Sequence, residues 1–303
     1  MSNPYARHNE QSKANFDDVY NLPDPRGYFA GLGALDYRAP EHGQRVFRAL
    51  LDELRGEDDR VPKVLDLCCS YGVNAALLRH DLTLDDLYAR YTSDELAGLS
   101  PEDLADADAG FYAGLRRACA PSVAGIDVAK NAVLYARRVG LLSAGAAENL
   151  EEHEPTEALR RAVSGVDLIT VTGGVGYVWE RTFERVLRCI SDGQTGSVSG
   201  NAHAPWVAAF AVRFVDYTPI ANVLGRRGLV TEKLSLRTFP QRRFKDEEEH
   251  EHVLGELAAG GIDPTGKEET GWYHADLYLS RPPEQVSESP ADTLLGSSGA
   301  LDY

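Results

Sequence analysis

The residues best suited to binding chemistry lie in one turn, within the segment VLDLCCSYG at residues 64–72. An apolar run ends in Asp66, continues through two cysteines and Ser70 to Gly72, and is followed by an apolar helical pattern. A strand, a turn and a helix in this order place the turn at the carboxyl end of the strand, where parallel sheets bind their ligands. The segment therefore predicts a binding loop for a nucleotide-like molecule.

The residues of this turn disfavour a dinucleotide. A dinucleotide fold needs the pattern G-x-G-x-x-G so that the backbone can approach a pyrophosphate at a helix N-terminus. Here Cys68 and Ser70 carry side chains, and only Gly72 remains. The acidic residue that binds a dinucleotide's ribose follows about 20 residues after the turn, whereas the next good candidate, Asp127, lies much farther along the chain. A helical insertion between them can explain that gap, so the loss of glycines is the stronger argument.

Four segments resemble, in order, the motifs of class I S-adenosylmethionine-dependent methyltransferases. The family's first motif, VLDLGCGTG, is similar to VLDLCCSYG at 64–72, and its second, GIDxS, is similar to GIDVA at 125–129. Its third, GDAExL, is similar to GAAENL at 145–150, and its fourth, FDLVxxxGVLH, is similar to VDLITVTGGVGYV at 166–178. The resemblance covers about residues 64–178 and implies S-adenosylmethionine as the cofactor.

The resemblance also implies which residues bind that cofactor. Asp127 is the implied partner of the ribose hydroxyls, and Ala146 stands where the family has an aspartate, which leaves Glu148 or Asn149 for the adenine contact. The cofactor carries no phosphate, so small side chains in the first turn are tolerated. As an alternative, Cys68 is a reactive thiol, but its flanking sequence offers no His or Lys to lower its pKa. The full implied set is Asp66, Cys68, Cys69, Ser70, Gly72, Asp127, Val128, Ala147, Glu148, Asn149, Thr172 and Gly173.

Methyl transfer from a sulfonium is a direct displacement that depends mainly on alignment of the reactants. An amine or thioether acceptor needs no strong base, whereas a hydroxyl or carbon acceptor needs one within hydrogen-bond distance. The candidate catalytic base is His203, because it follows a predicted strand end beside the cofactor cleft; a structural histidine explains it equally well. His274 is the second candidate, and its place at the start of the last strand predicts a position at the far end of the sheet.

Aromatic side chains can shape an acceptor pocket and face the sulfonium through cation–π contacts. Arg26, in the segment DPRG, can hold a carboxylate with two hydrogen bonds, although a surface position explains it equally well. No spacing of His, Cys, Asp or Glu indicates a metal site, and no metal is predicted. The aromatic candidates for substrate binding, which ordinary core packing also explains, are Tyr20, Tyr28, Tyr177, Trp206 and Tyr273.

Strands that alternate with helices must position these residues. This alternation is typical of βαβ units and a mostly parallel sheet. Together with the resemblance it implies an α/β fold, a three-layer Rossmann-like seven-stranded mostly parallel sheet whose last strand is antiparallel. The predicted strands lie at 62–69, 123–128, 143–149, 166–174, 196–204 and 274–282.

The chain is predicted to have three parts. Residues 1–40 form an N-terminal arm or lid, residues 41–283 a methyltransferase domain, and residues 284–303 a disordered tail, because they are mostly small and polar. A helical insertion at 82–121 interrupts the domain. Such an insertion serves as a substrate cap or as a homodimer interface, and the sequence is compatible with both.

The pentapeptide GALDY occurs at 33–37 and again at 299–303. Coincidence explains the repeat, and the alternative hypothesis is that the two copies compete for one docking groove. Deletion of residues 284–303 without effect on oligomeric state or kinetics would exclude that competition.

Composition restricts the partners. The 303 residues are 43% hydrophobic and 26% charged, with a formal net charge of −16, and this balance disfavours a nucleic-acid partner, which needs a concentrated basic face. No apolar run approaches the roughly 18 residues of a membrane span, and the N-terminus lacks the features of a signal peptide, so we expect a cytoplasmic protein. These features favour a small-molecule methyl acceptor, in specialised (natural-product) metabolism. The alternatives are a protein or RNA methyltransferase and a non-catalytic S-adenosylmethionine-binding module.

Overall fold

The structure is a computed structural model that describes residues 17–56, 60–194 and 204–302. Within these ranges the strands are β1 Lys63–Leu67, β2 Ser122–Asp127, β3 Ala144–Ala147, β4 Leu168–Val171, β5 Trp206–Val212, β6 Val230–Lys233, β7 Phe239–Arg243 and β8 Trp272–Arg281. The helices are α1 Asp17–Tyr20, α2 Arg26–Gly33, α3 Ala39–Arg55, α4 Val73–Arg79, α5 Leu84–Tyr91, α6 Asp94–Ala97, α7 Pro101–Gly114, α8 Lys130–Arg138, α9 Glu157–Val163, α10 Glu180–Gln194, α11 Thr218–Arg226, α12 Glu247–Ala259, α13 Pro283–Glu288 and α14 Ala291–Ser297.

The strands form one sheet in the order β3-β2-β1-β4-β5-β8, with β6 and β7 along the outer edge of β8. Strands β1 to β5 run parallel, and β8 is antiparallel to its neighbours. Val230 of β6 lies opposite Arg281, and Phe239 of β7 lies opposite Ala275, so β6 and β7 share the seventh position end to end. The predicted parallel sheet with an antiparallel last strand is confirmed. Its outer edge is divided in two because residues 234–238 interrupt the pairing.

Helices cover both faces of the sheet because its central strands are apolar on both sides. Val64 of β1 packs in one core with α3, α4 and α8, and Leu65, the next residue, packs in the other core with α9, α10 and α11. Successive side chains of a strand point to opposite faces, so a strand between two helical layers is apolar at every position. The turns after β1, β2 and β4 therefore open at one edge of the sheet, between the two layers.

The strand beside β4 lies later in the chain than predicted. We expect it at 196–204, of which only Ala204 lies among the described residues, outside any strand. The parallel neighbour of β4 is instead β5, with Trp206 opposite Leu168. The sequence of β5, WVAAFAV, is apolar throughout, and periodicity alone cannot distinguish such a buried strand from a helix.

The arm and the insertion are fixed to the domain and to each other. Phe29 of α2 stacks on Tyr91 of the insertion with 4.7 Å between ring centroids. Asp108 of α7 is fully buried and accepts hydrogen bonds from Arg90 Nε at 2.8 Å and from the hydroxyl of Tyr91 at 3.1 Å. The hydroxyl of Tyr135, on α8, also donates to Asp108. The insertion is therefore anchored in the domain through a buried polar network.

The end of the chain is folded, contrary to the predicted disordered tail. Prolines begin or precede both of its helices, α13 and α14. Ala291 and Leu295 are buried against the main core, and Gln285 accepts a hydrogen bond of 2.6 Å from Trp206 Nε1. Because residues 284–303 are mostly small and polar, their composition did not indicate that a few apolar residues are enough to dock two short helices.

The two copies of GALDY have different partners. In the first copy the carbonyl oxygen of Leu35 accepts a hydrogen bond of 2.8 Å from the backbone nitrogen of Arg243. In the second, the carbonyl oxygen of Leu301 accepts a hydrogen bond of 2.7 Å from Arg237 Nη1. Leu35 and Leu301 are bonded to different parts of the fold in the same structure, which argues against competition for one groove.

Candidate cofactor site

The turn after β1 has a backbone conformation that normally requires glycine. Cys68, Ser70 and Gly72 have φ values of 58°, 47° and 78°, in the left-handed region. A residue with a side chain costs roughly 1–2 kcal/mol there. The two positions at which this sequence departs from the glycines of the motif therefore keep a conformation typical of glycine.

Asp66, at the end of β1, is fully buried beneath this turn. Its Oδ1 accepts hydrogen bonds from Asn74 Nδ2 at 2.9 Å and from Thr170 Oγ1 at 2.8 Å. The same amide nitrogen of Asn74 donates to Thr172 Oγ1 at 2.8 Å, which links β1 to the turn after β4. Burial raises the pKa of Asp66 to about 7, although its two hydrogen bonds act in the opposite direction.

Three buried oxygen atoms around the turn lack a hydrogen-bond partner among the described residues. They are Asp66 Oδ2, Asn74 Oδ1 and Ser70 Oγ. Each unpaired buried polar atom costs about 1–3 kcal/mol. The carboxylate and amide oxygens can only accept hydrogen bonds. The arrangement therefore suits a ligand that brings N–H donors, and a cationic donor best of all.

Asp127 ends β2 beside the same turn. Its Oδ2 accepts a hydrogen bond from the backbone nitrogen of Ser70 at 2.8 Å, and its Oδ1 accepts one from that of Ala129 at 2.9 Å. Burial raises the pKa of Asp127 in spite of these bonds. Because each carboxylate oxygen has two lone pairs, Asp127 can accept further hydrogen bonds from a ligand. The next residue, Val128, is 68% exposed and presents apolar surface at this edge.

The turn after β4 meets the turn after β1. A Cβ atom at Gly174 would lie 2.8 Å from Cys68 Sγ, and one at Gly173 would lie 2.5 Å from the hydroxyl oxygen of Tyr37. Glycine at both positions therefore lets these side chains approach the backbone. The ends of β1, β2 and β4 together border one cleft at the carboxyl edge of the sheet.

The arm crosses the mouth of this cleft. On one side the hydroxyl of Tyr71 lies 2.9 Å from the carbonyl oxygen of Leu22 and 3.2 Å from that of Val19. On the other side the backbone nitrogen of Asn131 donates to Asn21 Oδ1 at 2.8 Å, and Asn131 Nδ2 donates to the carbonyl oxygen of Asn21 at 2.8 Å. This segment of the arm therefore spans from the turn after β1 to the start of α8.

Tyr20 and Tyr28 lie on the arm beside the turn. Their rings are 5.5 Å apart in an edge-to-face contact, and the ring of Tyr28 is 5.8 Å from that of Tyr71. Burial raises the pKa of Tyr20, and the nearby Asp127 carboxylate raises it further. Burial also raises the pKa of Tyr28. The structure thus brings two of the predicted aromatic residues to the cleft as neutral phenols.

Two predicted substrate residues lie elsewhere. The guanidinium of Arg26 is bonded to Asp24, with Nη2 at 2.8 Å from Oδ2, and donates to the carbonyl oxygen of Leu96 at 2.8 Å. It fixes the arm to the insertion, and these contacts do not favour its predicted role as a clamp for a substrate carboxylate. Trp206 begins β5 and so lies at the edge of the sheet opposite the cleft, which disfavours its predicted role in substrate binding.

The third motif contributes less than the resemblance implies. Both carboxylate oxygens of Glu148 accept hydrogen bonds from Thr156, at 2.6 Å from its hydroxyl and 3.1 Å from its backbone nitrogen. Glu148 thus stabilises the start of α9, and its contact with adenine stays a prediction. Asn149 Oδ1 accepts a hydrogen bond of 3.0 Å from the backbone nitrogen of Glu151, and Ala147 is exposed at the end of β3.

The remaining candidate residues for cofactor and substrate binding differ in how deeply their side chains are buried. Cys69 is buried, and a Cβ atom at Gly125 would lie 2.6 Å from its Sγ, so its thiol belongs to the core. Tyr273 is buried behind Arg242, whose guanidinium carbon lies 4.4 Å from the ring centroid. Tyr177, which follows the turn after β4, is 47% exposed.

Of the two histidine candidates, His203 lies outside the described residues. His274 lies at the carboxyl edge rather than at the predicted far end, because β8 is antiparallel and Ala275 lies opposite Val212 of β5. Its Nδ1 is 3.0 Å from Thr238 Oγ1, and burial lowers its pKa to about 4. It is therefore a neutral imidazole at neutral pH.

Within residues 17–56, 60–194 and 204–302, no group of three or more His, Cys, Asp or Glu side chains is arranged to hold a metal ion. In the same ranges no helix is both long enough and apolar enough to cross a membrane. The carboxylates of the cleft, Asp66 and Asp127, are instead bonded to N–H and O–H groups of the protein.

Sequence reasoning missed Asn74 and Tyr37. Asn74 is a polar residue in the first turn of an otherwise apolar helix, two positions after Gly72, and that contrast was a usable signal. Tyr37 gave no comparable signal, because nothing local marks the end of GALDY as a neighbour of Gly173, which is far along the chain.

No protein-family model matches the sequence, and no curated protein sequence matches it. Solved structures do match. A TehB-like SAM-dependent methyltransferase from Corynebacterium glutamicum is 14% identical, with 76% of this chain and 85% of that chain covered and a TM-score of 0.35. The plantazolicin methyltransferase BpumL in complex with SAH is 10% identical, with 91% and 97% covered and a TM-score of 0.39. DesVI from Streptomyces venezuelae is 11% identical, with 89% and 99% covered and a TM-score of 0.31.

These identities and TM-scores are low, so the fold assignment rests on the architecture itself. Two helical layers enclose a sheet in which β1 to β5 are parallel and β8 is antiparallel. The chain has the Rossmann-like fold of class I methyltransferases.

Proposed function

We propose that the protein is an S-adenosylmethionine-dependent methyltransferase that acts on a small-molecule acceptor. The observation that carries the proposal is the turn after β1. Cys68 and Ser70 keep a conformation typical of glycine there. Beneath the turn, one buried oxygen each of Asp66 and Asn74 has no hydrogen-bond donor among the described residues. Such strain and such unpaired buried atoms are concentrated at functional sites, where a ligand can use them.

The residues present fit this cofactor. Asp66 Oδ2 and Asn74 Oδ1 suit the ammonium group of its amino-acid end, and Asp127 has lone pairs left for the ribose hydroxyls. Val128 offers an exposed apolar surface for the adenine ring. The cofactor, when bound, supplies an electrophilic methyl group on a sulfonium.

In this proposal the protein's main contribution is alignment and exclusion of water. Tyr71 and Asn131 hold the arm across the cleft from two sides. Tyr20 and Tyr28 then border the reaction space with aromatic faces, which favour a sulfonium through cation–π contacts. His203 stays the predicted base for any acceptor that must lose a proton before it attacks.

The arm and the insertion support a small acceptor over a protein or RNA acceptor. The arm lies across the cleft, and Arg26 ties it to the insertion. An extended polymer needs an open groove beside the cofactor, and RNA needs a basic one, whereas this chain has a net charge of −16. We propose that residues 1–40 act as a lid, that residues 82–121 act as the cap that holds it, and that the setting is specialised metabolism.

The test is calorimetric titration of the purified protein with S-adenosylmethionine, S-adenosylhomocysteine and NAD. We expect micromolar binding of the first two and none of NAD. Asp127→Ala should abolish that binding. Asp216→Ala is the matched control, because Asp216 also accepts a hydrogen bond from the backbone nitrogen two residues later, at 2.9 Å, but follows β5 rather than β2.

Equal loss of binding in both variants would show that the effect is structural. Binding of NAD alone would overturn the proposal and would make the missing glycines the decisive feature of the turn. Binding of S-adenosylhomocysteine that is lost in the Asp127 variant only would justify a search for the acceptor.

A further inference from the structure

A cavity opens at the outer edge of the sheet, where residues 234–238 separate β6 from β7. It has a volume of about 580 Å³, within the range of about 300–1,000 Å³ that is typical of sites for small molecules. Its walls come from this break in the edge strand, from the loop between α12 and β8, and from the folded end of the chain. The described residues that line it include none of the candidate cofactor residues.

Hydrogen bonds hold the break in the edge strand against the end of the chain. The backbone nitrogen of Ser235 donates to Asp292 Oδ1 at 2.8 Å, near the start of α14. Arg237 Nη1 donates to the carbonyl oxygen of Leu301 at 2.7 Å, and the guanidinium carbon of Arg237 lies 5.3 Å from the centroid of the Phe239 ring. The protein therefore positions this cation before any ligand binds, which lowers the entropy cost of binding.

Cationic side chains exceed anionic ones in the lining of the cavity. Arg237 comes from the break in the edge strand and Lys267 from the loop before β8, whereas Asp302 supplies the one carboxylate among the described residues of the lining. His274 also lines the cavity and is neutral at neutral pH, because burial lowers its pKa to about 4 and nearby arginine and lysine side chains lower it further. The lining therefore has one positive charge in excess.

His274 adds a neutral hydrogen-bonding group to the lining. Its Nδ1 lies 3.0 Å from Thr238 Oγ1, and both residues line the cavity. A neutral imidazole has one N–H donor and one acceptor nitrogen. When the hydroxyl of Thr238 donates to Nδ1, Nε2 carries the proton, and this is the tautomer that an anion favours. The imidazole thus suits an anionic ligand without carrying a charge itself.

Apolar side chains complete the lining. Leu236 is 56% exposed and Leu301 is partly buried, and both line the cavity. A ligand that covers them removes apolar surface from water, which favours binding. The cavity therefore suits a molecule with an anionic group at one end and an apolar body at the other.

We propose that this cavity is a second ligand site, separate from the cofactor cleft, and that it takes a small organic carboxylate. The carboxylate group accepts a hydrogen bond from Lys267 and lies beside the guanidinium of Arg237, and the apolar part covers Leu236 and Leu301. One excess positive charge matches a carboxylate, a single negative charge, better than a phosphate monoester, which carries about −1.5 to −2 at neutral pH. The site does not depend on the function proposed above.

The test compares four probes by calorimetry on the full chain: 3-phenylpropionate, phenethylamine, phenyl phosphate and acetate. The first two share one frame and have opposite charges, and acetate lacks the apolar body. We expect 3-phenylpropionate to bind at least about tenfold more tightly than each of the others, from a charge-assisted hydrogen bond and from apolar burial. Tighter binding of phenethylamine or phenyl phosphate, equal binding of all four, or no binding of 3-phenylpropionate would overturn the inference.

Lys267→Gln tests the location of the site. We expect the affinity for 3-phenylpropionate to fall by about tenfold, as for loss of one charge-assisted hydrogen bond. Lys245→Gln is the matched control, since it removes the same charge from an exposed lysine that lies 3.6 Å from Asp246 and outside the lining; its affinity should stay within about twofold. An unchanged affinity in Lys267→Gln, or equal losses in the two variants, would overturn the inference.

S-adenosylhomocysteine distinguishes this site from the cofactor cleft. At a saturating concentration it should leave the affinity for 3-phenylpropionate within about twofold, because the described residues of the lining are not those of the cleft. Displacement of 3-phenylpropionate by S-adenosylhomocysteine would place the probe in the cleft and overturn the inference. If S-adenosylhomocysteine does not bind at all, the proposed function fails, and the two lysine variants still decide the inference.

Discussion

Asn74 Nδ2 donates a hydrogen bond of 2.9 Å to Asp66 Oδ1 and leaves the other carboxylate oxygen of Asp66 without a partner among the described residues. Because burial raises the pKa of Asp66 to about 7, the carboxyl group titrates near neutral pH, and a ligand's ammonium group favours its ionised form. We expect the affinity for S-adenosylhomocysteine to fall by about tenfold for each pH unit below about 7. Calorimetry between about pH 8 and about pH 6 measures this change.

Asp66→Asn is the control for that titration, because an amide does not ionise in this range. Its binding should be weak and should show no such pH dependence. If the wild-type affinity is constant over the same range, the proposed contact between Asp66 and the ligand's ammonium group is wrong.

Asp66 also determines how the stability of the unliganded protein depends on pH. Its pKa is raised in the folded protein from the ordinary value of 3.8, so its contribution to stability is complete below about pH 4 and is lost as the pH rises to about 7. The loss is on the order of a few kcal/mol, at about 1.4 kcal/mol per pKa unit. Without ligand, Asp66→Asn should therefore unfold at a higher temperature than the wild type near pH 8, and by a smaller margin near pH 5. Thermal scans that show a lower unfolding temperature for the variant near pH 8 would refute this expectation.

Ser70→Gly should stabilise the protein. Ser70 has a φ of 47° and a buried hydroxyl without a hydrogen-bond partner among the described residues. The free energy gained by removing the strain and the unpaired hydroxyl exceeds the cost of the extra conformational entropy that glycine brings to the unfolded chain. We expect a gain of about 1 kcal/mol in the free energy of unfolding in urea. Gly72→Ala should act in the opposite sense, since its φ is 78° and its Cβ atom would lie 3.1 Å from that of Ala136. A loss of stability in Ser70→Gly would mean that the turn is not strained at that residue.

Tyr71→Phe should loosen the arm. It removes the hydroxyl that bonds to the carbonyl oxygen of Leu22 at 2.9 Å, which is worth about 1 kcal/mol. Hydrogen exchange of the backbone amides in residues 19–22 should become roughly fivefold faster, and S-adenosylhomocysteine should dissociate faster. Asn131→Ala should have a similar effect at the other anchor, because it removes the side-chain nitrogen that donates to the carbonyl oxygen of Asn21 at 2.8 Å. Unchanged exchange in both variants would show that other contacts hold the arm.

Asp108→Ala should destabilise the domain strongly. The variant leaves the Arg90 guanidinium and the hydroxyl of Tyr91 without their buried acceptor, at a cost of about 3–5 kcal/mol. Asp106→Ala, on the same helix, removes an exposed ion pair with Arg138 and should cost at most about 1 kcal/mol. Chemical denaturation compares the two, and similar losses would contradict the anchoring role of the buried network.

Local sequence pattern was enough to predict the frame of the site. Short runs that are apolar on both faces and alternate with helical patterns identified β1, β2 and β4, because such runs are typical of strands between two helical layers. Since parallel strands end at the same edge of a sheet, Asp66 and Asp127 could be assigned to one cleft from their positions at strand ends. Their backbone and side-chain contacts in the structure agree with that assignment.

Long-range contacts decided the rest. Arg26 is a candidate for holding a substrate carboxylate, but its guanidinium is bonded to Asp24 and to the carbonyl oxygen of Leu96, 70 residues away. Trp206 begins a strand rather than following one, and the polar tail folds because Leu295 finds a core to enter.

The sequence by itself determined the fold class and the positions of the candidate binding turn and of Asp66 and Asp127 at strand ends, because these depend on short-range periodicity and on strand order. Only the tertiary structure decided which side chains are near the cleft. Tyr37 reaches Gly173 because β7 holds the arm in place, and a contact between residues so far apart in the chain leaves no trace in either local segment.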